Sequence, residues 1–126
     1  MNIPDGILCS RSHEYVYEKG GQYVIGLSDF AVEQLGDIVF IELPDVDTTF
    51  TKGEVFGTVE SVKAASEIYM PVGGTIVEIN NELLDKPEML NDNPYENGWL
   101  IKIETDHFNE DIVDLMEYDD YKEEVS

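Results

Sequence analysis

Two short alternating runs flank a single lysine in the middle of the chain, and they limit its architecture more than any other feature. Val55, Gly57 and Val59 alternate with Phe56, Thr58 and Glu60, and beyond the lysine Ile68, Met70 and Val72 alternate with Tyr69 and Pro71. A period of two belongs to a strand with one face in a core. Two such runs around a short polar segment predict an antiparallel hairpin over residues 53–74. Lys63 falls near its tip, among Ser61, Ala64, Ala65 and Ser66, whose side chains are too short to shield an amine. A lysine on a turn is ordinarily a solvated charge. The local residues therefore leave two readings open, a plain surface charge or a modification site approachable from several directions.

The chain has 126 residues, 42% of them hydrophobic, enough for the core of one domain over residues 1–126 without disulfides or metals. Cys9 is the only cysteine, which excludes an intramolecular disulfide, and with His13 and His107 as the only histidines there is no zinc framework. No apolar run approaches the length of a membrane span. Residues 1–6 have neither the basic nor the apolar region of a targeting signal, so the expected compartment is a soluble reducing one. That means the cytoplasm in a bacterium and the mitochondrial matrix in a eukaryote. The net charge of −21 argues against binding nucleic acid, whose phosphates are attracted by Lys and Arg. It keeps a small protein soluble and steers it toward basic docking surfaces.

Along the chain, residues 1–10 read as a loosely tied end. Tyr15 to Tyr17, the turn Lys19-Gly20-Gly21, and Tyr23 to Gly26 predict a first hairpin. Ser28 or Asp29 can cap a short helix through Phe30, Ala31 and Leu35 that Gly36 ends. Strands are predicted over residues 37–43, 75–79 and 99–103, with a helical turn starting at Pro87 and Leu90 on its inner side. From Asn109 the period becomes helical, with Ile112, Leu115 and Met116 on one face, so C-terminal helices are expected over about 109–125. An internal echo links Gly36-Asp37-Ile38-Val39-Phe40-Ile41 to Gly74-Thr75-Ile76-Val77-Glu78-Ile79, both Gly-x-Ile-Val-x-Ile. It suggests two similar halves. The expected class is mainly β, a flattened barrel or sandwich of two antiparallel sheets with short helices, including a C-terminal helical segment.

Other chemistries find less support. Cys9 and His13 invite a Cys/His pair, but a loose terminus is a poor platform for catalytic geometry. Asp45 with Asp47, and Asp119 with Asp120, lack calcium-loop spacing, so no metal site is expected. A hydrolase with paired carboxylates would need two acids in a convergent motif, and none is visible. Trp99 is expected in the core.

Glu60-Ser61-Val62-Lys63-Ala64 with Met70-Pro71-Val72-Gly73-Gly74 resembles the lipoyl-lysine hairpin of the glycine cleavage H proteins. Lipoyl domains of 2-oxoacid dehydrogenases usually carry Asp-Lys-Ala at the tip and biotin carriers Met-Lys-Met, whereas this chain has Val-Lys-Ala. The resemblance extends over nearly the whole chain. Ser12-His13-Glu14-Tyr15-Val16 resembles the family's Ser/Thr-His-Glu-Trp-Val, with Tyr15 in place of the usual tryptophan. Residues 34–40, Glu42-Leu43-Pro44, Asn93-Pro94-Tyr95 and residues 98–102 match further segments. The resemblance implies the lipoyl/biotinyl-carrier hybrid fold and a non-catalytic carrier with lipoate in amide linkage to Lys63. It further implies an aminomethyl group carried from a pyridoxal-phosphate glycine decarboxylase (P protein) to a tetrahydrofolate-dependent aminomethyltransferase (T protein). Dihydrolipoamide dehydrogenase (L protein) then reoxidises the dithiol. Attachment falls to a lipoate ligase, or to an octanoyl transferase with lipoyl synthase. Glu14 is the candidate anion for the loaded arm's amine and Ser12 its polar neighbour. An H-like protein relaying or storing lipoyl groups for other enzymes shares the same sequence features, and in an unmodified acidic interaction module Lys63 stays a free amine.

Overall fold

A computed structural model describes residues 2–126. In chain order it has strands β1 (Leu8–Cys9), β2 (Glu14–Lys19) and β3 (Gln22–Leu27), helix α1 (Asp29–Leu35), and strands β4 (Ile38–Glu42), β5 (Thr49–Phe50), β6 (Val55–Ser61), β7 (Ala65–Tyr69) and β8 (Gly74–Ile79). Helices α2 (Asn81–Asp85) and α3 (Met89–Asp92), strand β9 (Ile101–Glu104), helix α4 (Phe108–Asp111), strand β10 (Met116–Glu117) and helix α5 (Tyr118–Val125) complete it. All pairings are antiparallel. One sheet has the order β10-β1-β2-β3-β9-β8-β5 and the other β4-β6-β7. Val16, Ile25, Ile76 and Ile103 of the larger sheet share one buried cluster with Ile41, Val59 and Ile68 of the smaller. The fold is therefore mainly β, two antiparallel sheets around a common core, with short helices and a helix at the C-terminal end.

Local chemistry explains the elements. Ser28 caps α1 as expected, its Oγ accepting the Ala31 N–H at 3.1 Å, and Gly36 at φ 80° takes the left-handed turn that ends the helix. The β2–β3 register places Tyr15 opposite Gly26, where a β-carbon would lie 2.5 Å from the Tyr15 hydroxyl. The ring crosses the space that glycine leaves. Its hydroxyl donates to the Pro94 carbonyl at 2.7 Å, which ties the first hairpin to the segment before β9. The Gly-x-Ile-Val-x-Ile echo recurs in strand shape. Pairing shifts register between Ile38 and Phe40 in β4 and between Ile76 and Glu78 in β8, the same place in both runs. Their settings differ, because β4 is an edge strand and β8 lies between β9 and β5.

Four expectations need correction. The N-terminal residues are not loosely tied: β1 pairs with both β2 and β10, and Ile7 and Cys9 are buried. Helix does not run on through Ile112, Leu115 and Met116. It stops at Asp111, and Met116 enters β10 because β1 offers it a free sheet edge. Helix α2 fills the stretch between the strand predicted over 75–79 and Pro87, where no element was expected, and buries its Leu83. Trp99 is half-buried, with the Lys102 ammonium 4.7 Å from its ring centre.

Helix α5 is held by a polar hub at the start of α1. Asp29 accepts from the hydroxyls of Tyr95 at 2.8 Å and Tyr118 at 3.0 Å and from the Lys122 ammonium at 2.9 Å. Burial raises its pKa, but these three donors outweigh it and hold the carboxyl below its ordinary range. Beside it, the buried Tyr121 hydroxyl bridges Ser28 at 2.6 Å and His13 at 2.8 Å. Asp29→Ala strips the buried Tyr95 hydroxyl of its acceptor. It is expected to lower unfolding free energy by about 1–3 kcal/mol and to speed amide exchange in α5. A denaturation midpoint equal to wild type would contradict the hub.

Candidate functional site

The hairpin tip is a serine-closed turn. Ser61 N–H donates to the Ala64 carbonyl at 2.8 Å, and Ser61 Oγ accepts both the Lys63 and Ala64 N–H groups at 3.1 Å. These bonds satisfy the backbone within the turn and leave the Lys63 side chain exposed. Val62 N–H donates outward to the Asp37 carbonyl at 3.0 Å, pinning the tip to the corner between α1 and β4. Asn91 of α3 braces that corner, accepting from Ile38 N–H at 2.9 Å and donating to the Gly36 carbonyl at 2.8 Å.

Lys63 has a defined resting place. Its Cε lies 3.1 Å from the position a β-carbon would take on Gly36, and its ammonium makes a long 3.5 Å contact with the Gln34 carbonyl. Any side chain at residue 36 would crowd the lysine stem, a second reason for glycine there. Glu60, Val62 and Ala64 are exposed around it and Ser61 is half-buried. The carbonyls at the end of α1 favour a cation.

Strand β7 leads from this tip to a second feature. It is the edge of the smaller sheet, and at its far end Tyr69 N–H donates to Glu14 Oε2 at 3.2 Å. Glu14 is only 1% exposed, so it does not decorate a strand surface. Its Oε1 accepts from Ser10 Oγ at 2.8 Å and from Ser12 Oγ. Ser10, Ser12 and Tyr69 line one wall of a cavity of about 380 Å³, and Lys52, Met70, Pro71 and Leu115 line the rest. Glu14 stands directly behind that wall. Lys52 donates to the Asp111 carbonyl and to the carboxylate of Asp114, which also lines the cavity. Asp111 Oδ2 in turn accepts Gly73 N–H and meets His107 Nδ1, both at 2.9 Å.

Burial pushes the Glu14 pKa up, opposed by hydrogen bonds from Ser12, Tyr69 and Ser10. The Cys9 thiol is driven the wrong way for a nucleophile, up to about 12, first by burial and then by the charge of Asp29. His13 faces Tyr121 rather than Cys9, and burial lowers its pKa. Among the described residues no three His, Cys, Asp or Glu side chains converge as a metal-ligand set.

The structure thus brings Ser12 and Glu14 together, as the sequence motif suggested, and places Lys63 one strand length away. Sequence reasoning missed Ser10, Lys52, Tyr69 and Asp114 at the cavity, and Gly36 and Asn91 behind the lysine. Ser10 could have been found had the alternation of Ile7 and Cys9 been taken as a strand. The others are joined by hydrogen bonds between residues 53 to 62 apart, which no local pattern reports.

The family profile described as glycine cleavage H-protein matches residues 7–126. The glycine cleavage system H protein of Listeria innocua is 47% identical over 122 residues, covering 97% of each chain. That of Halothermothrix orenii is 44% identical over 127 residues, covering 99% of each. A crystal structure of a glycine cleavage system H protein from Mycobacterium marinum superposes with a TM-score of 0.87 at 32% identity, covering 98% of each chain.

The raised pKa of Glu14 has a readable consequence for stability. The folded state holds this proton more tightly than the unfolded chain, so ionising Glu14 costs stability. The cost is absent below the ordinary value of 4.5 and grows as pH rises from there to the folded value. The Glu14 carboxyl carbon is expected to titrate above those of the exposed glutamates, and Glu14→Gln to lose less stability than wild type across that interval. A midpoint at or below the exposed set would contradict the assignment.

Proposed function

The chain belongs to the glycine cleavage H-protein family, and we propose that within it residues 1–126 act as one carrier domain with lipoate in amide linkage to Lys63. The observation that carries this reading is the tip itself: an exposed amine among short side chains, on a turn pinned at Val62 to the body of the protein. An acyl carrier needs its anchor fixed and its amine free, and few surface lysines meet both conditions.

The residues present fit such a group. Strand β7 spans about 13 Å, four steps of roughly 3.3 Å, a distance that an extended lipoyl-lysine side chain covers. The far end of that span is the cavity walled by Ser12 and backed by Glu14. Bound at Lys63, lipoate would supply a disulfide that opens on reduction, so that one sulfur carries the aminomethyl group of glycine from the P protein to the T protein and the dithiol left behind is reoxidised by the L protein.

The chain's own residues then have distinct tasks. Ser61 and Asp37 hold the anchor still, so that the arm sweeps a restricted volume at high effective concentration. Glu14 supplies negative charge beneath the cavity wall, and Ser12 presents a hydroxyl that can turn from Glu14 to a cationic amine. Asp114 and Lys52 form an ion pair on the cavity's lining. In this reading the protein catalyses nothing; it sequesters and presents. Amide formation removes the lysine charge and makes an acidic protein more acidic still.

A lipoate ligase, or an octanoyl transferase with lipoyl synthase, attaches the group. The named relatives are bacterial, which supports action in the cytoplasm, and no described helix is long and apolar enough to cross a membrane.

The test is reconstitution with glycine decarboxylase and carboxyl-labelled or methylene-labelled glycine. Lipoylated protein is expected to retain the methylene carbon and not the carboxyl carbon, and to yield it to the T protein. Loss of the retained carbon to water should be several-fold faster in Glu14→Ala, and faster in wild type as acid neutralises Glu14. Lipoylated protein that never accepts the carbon would leave the relay of lipoyl groups as the function, and equal retention by Glu14→Ala would remove Glu14 from the account.

A further inference from the structure

Strand β4 is an edge strand, and its pairing with β6 is interrupted by the bulge between Ile38 and Phe40. The extra residue breaks the in-and-out alternation. Val39 and Phe40, neighbours in sequence, are both exposed, at 52% and 48%, while Ile38 and Ile41 on either side are buried. Val62, beside Lys63 on the turn, is 68% exposed. Ile38 pairs with Ser61 and Val62 N–H bonds to Asp37, so the bulge and Val62 lie at the same end of the small sheet as the lysine.

The bulge alone does not demand an exposed phenyl ring. The matching run in β8 has the same irregularity with a glutamate, Glu78, where β4 has Phe40. An apolar side chain on an open sheet edge is an association hazard that needs a reason. Around it the surface is acidic: Phe40 pairs with Glu60, and Glu42 stands two residues further along β4. A partner fitting this surface presents an apolar contact edged with Lys or Arg.

Geometry selects which partner. An enzyme that acts on the distal end of an arm works a strand length or more from Lys63 and has no need to cover the tip. An enzyme that acylates the lysine must bring its active site within bonding distance of Nζ, and so must lie over the tip and whatever borders it. We propose that Val39, Phe40 and Val62, rimmed by Glu42 and Glu60, form the docking surface for the enzyme that acylates Lys63. The inference rests on the assignment of Lys63 as the attachment site. In the docked state Nζ leaves the Gln34 carbonyl, gives one proton to a base on the enzyme and, as a neutral amine, attacks the carbonyl carbon of an acyl–phosphate mixed anhydride bound there, its second proton leaving with the phosphate ester. The C–N bond forms as the C–O bond to phosphate breaks, and the phosphate ester departs.

The experiment is steady-state acylation of the unmodified protein by a lipoate ligase with lipoate and ATP, followed by intact mass. Phe40→Ser and Val62→Ser are each expected to lower kcat/KM about tenfold, mainly through KM. Glu60→Gln should flatten its salt dependence, and Val113→Ser, on an exposed turn beyond α4, should match wild type. Val62 lies on the solvent side of the turn, so its variant keeps the test valid if Phe40→Ser does not fold. Unchanged kcat/KM in both patch variants, with wild type fully modified, overturns the docking surface and leaves the attachment site standing. An equal loss when the variants, already lipoylated, meet the decarboxylase overturns it as well, because the surface would not be particular to acylation. If wild type itself is not modified, the attachment assignment falls and this proposal with it.

Discussion

Strand β6 lies between β4 and β7, and beyond its last pair with β4, Ile38 with Ser61, the turn is tied to the body of the protein by one backbone bond, Val62 N–H to the Asp37 carbonyl. That bond joins the turn to the α1–β4 corner, which Asn91 braces from α3. Behind the corner, Gly36 ends α1 in a left-handed conformation and leaves room for the lysine stem. The position of Lys63 thus depends on a helix stop, a turn and a side-chain brace that lie far apart in sequence. Each is individually modest in energy, and together they fix the turn that carries Lys63.

The second organising constraint is how so acidic a chain handles carboxylates below its surface. Most of its Asp and Glu side chains are solvated, but Glu14 is 1% exposed and the side chain of Asp29 only 23%. An unpaired carboxylate at either place would be costly. Asp29 is met by an ammonium and two phenols, and its pKa falls; Glu14 is met only by neutral donors, and its pKa rises. The contrast separates their roles. Asp29 closes a structural hub for α5, whereas Glu14 sits behind the cavity wall with neutral donors on its carboxyl.

Much of this was legible in the sequence, and the rest was hidden for physical reasons. The 53–74 hairpin, the lysine at its tip, the Ser28 cap and the first hairpin follow from periods and turn residues that act locally. The pairing of Leu8–Cys9 with Met116–Glu117 does not, because two-residue strands from opposite ends of the chain have no period of their own. Met116 had helical spacing with Ile112 and Leu115, yet the vacant edge of β1 outweighed it. The pairing of Ser12 with Glu14 could be suggested from a motif. The burial of Glu14 could not, since it is completed by Ser10 on one side and by Tyr69, 55 residues away, on the other. Val39 and Phe40 would alternate in a regular strand, and only the bulge puts both in solvent.

On the proposed function, this scaffold holds one acyl group on one lysine. The most direct measurement is peptide mapping by mass spectrometry after the folded protein is incubated with lipoate, ATP and a lipoate ligase, with Lys63→Ala treated alongside. The account predicts a single lipoyl group on the peptide containing Lys63 and none on the variant. A folded wild-type protein left unmodified, or one modified equally at other lysines, would contradict it.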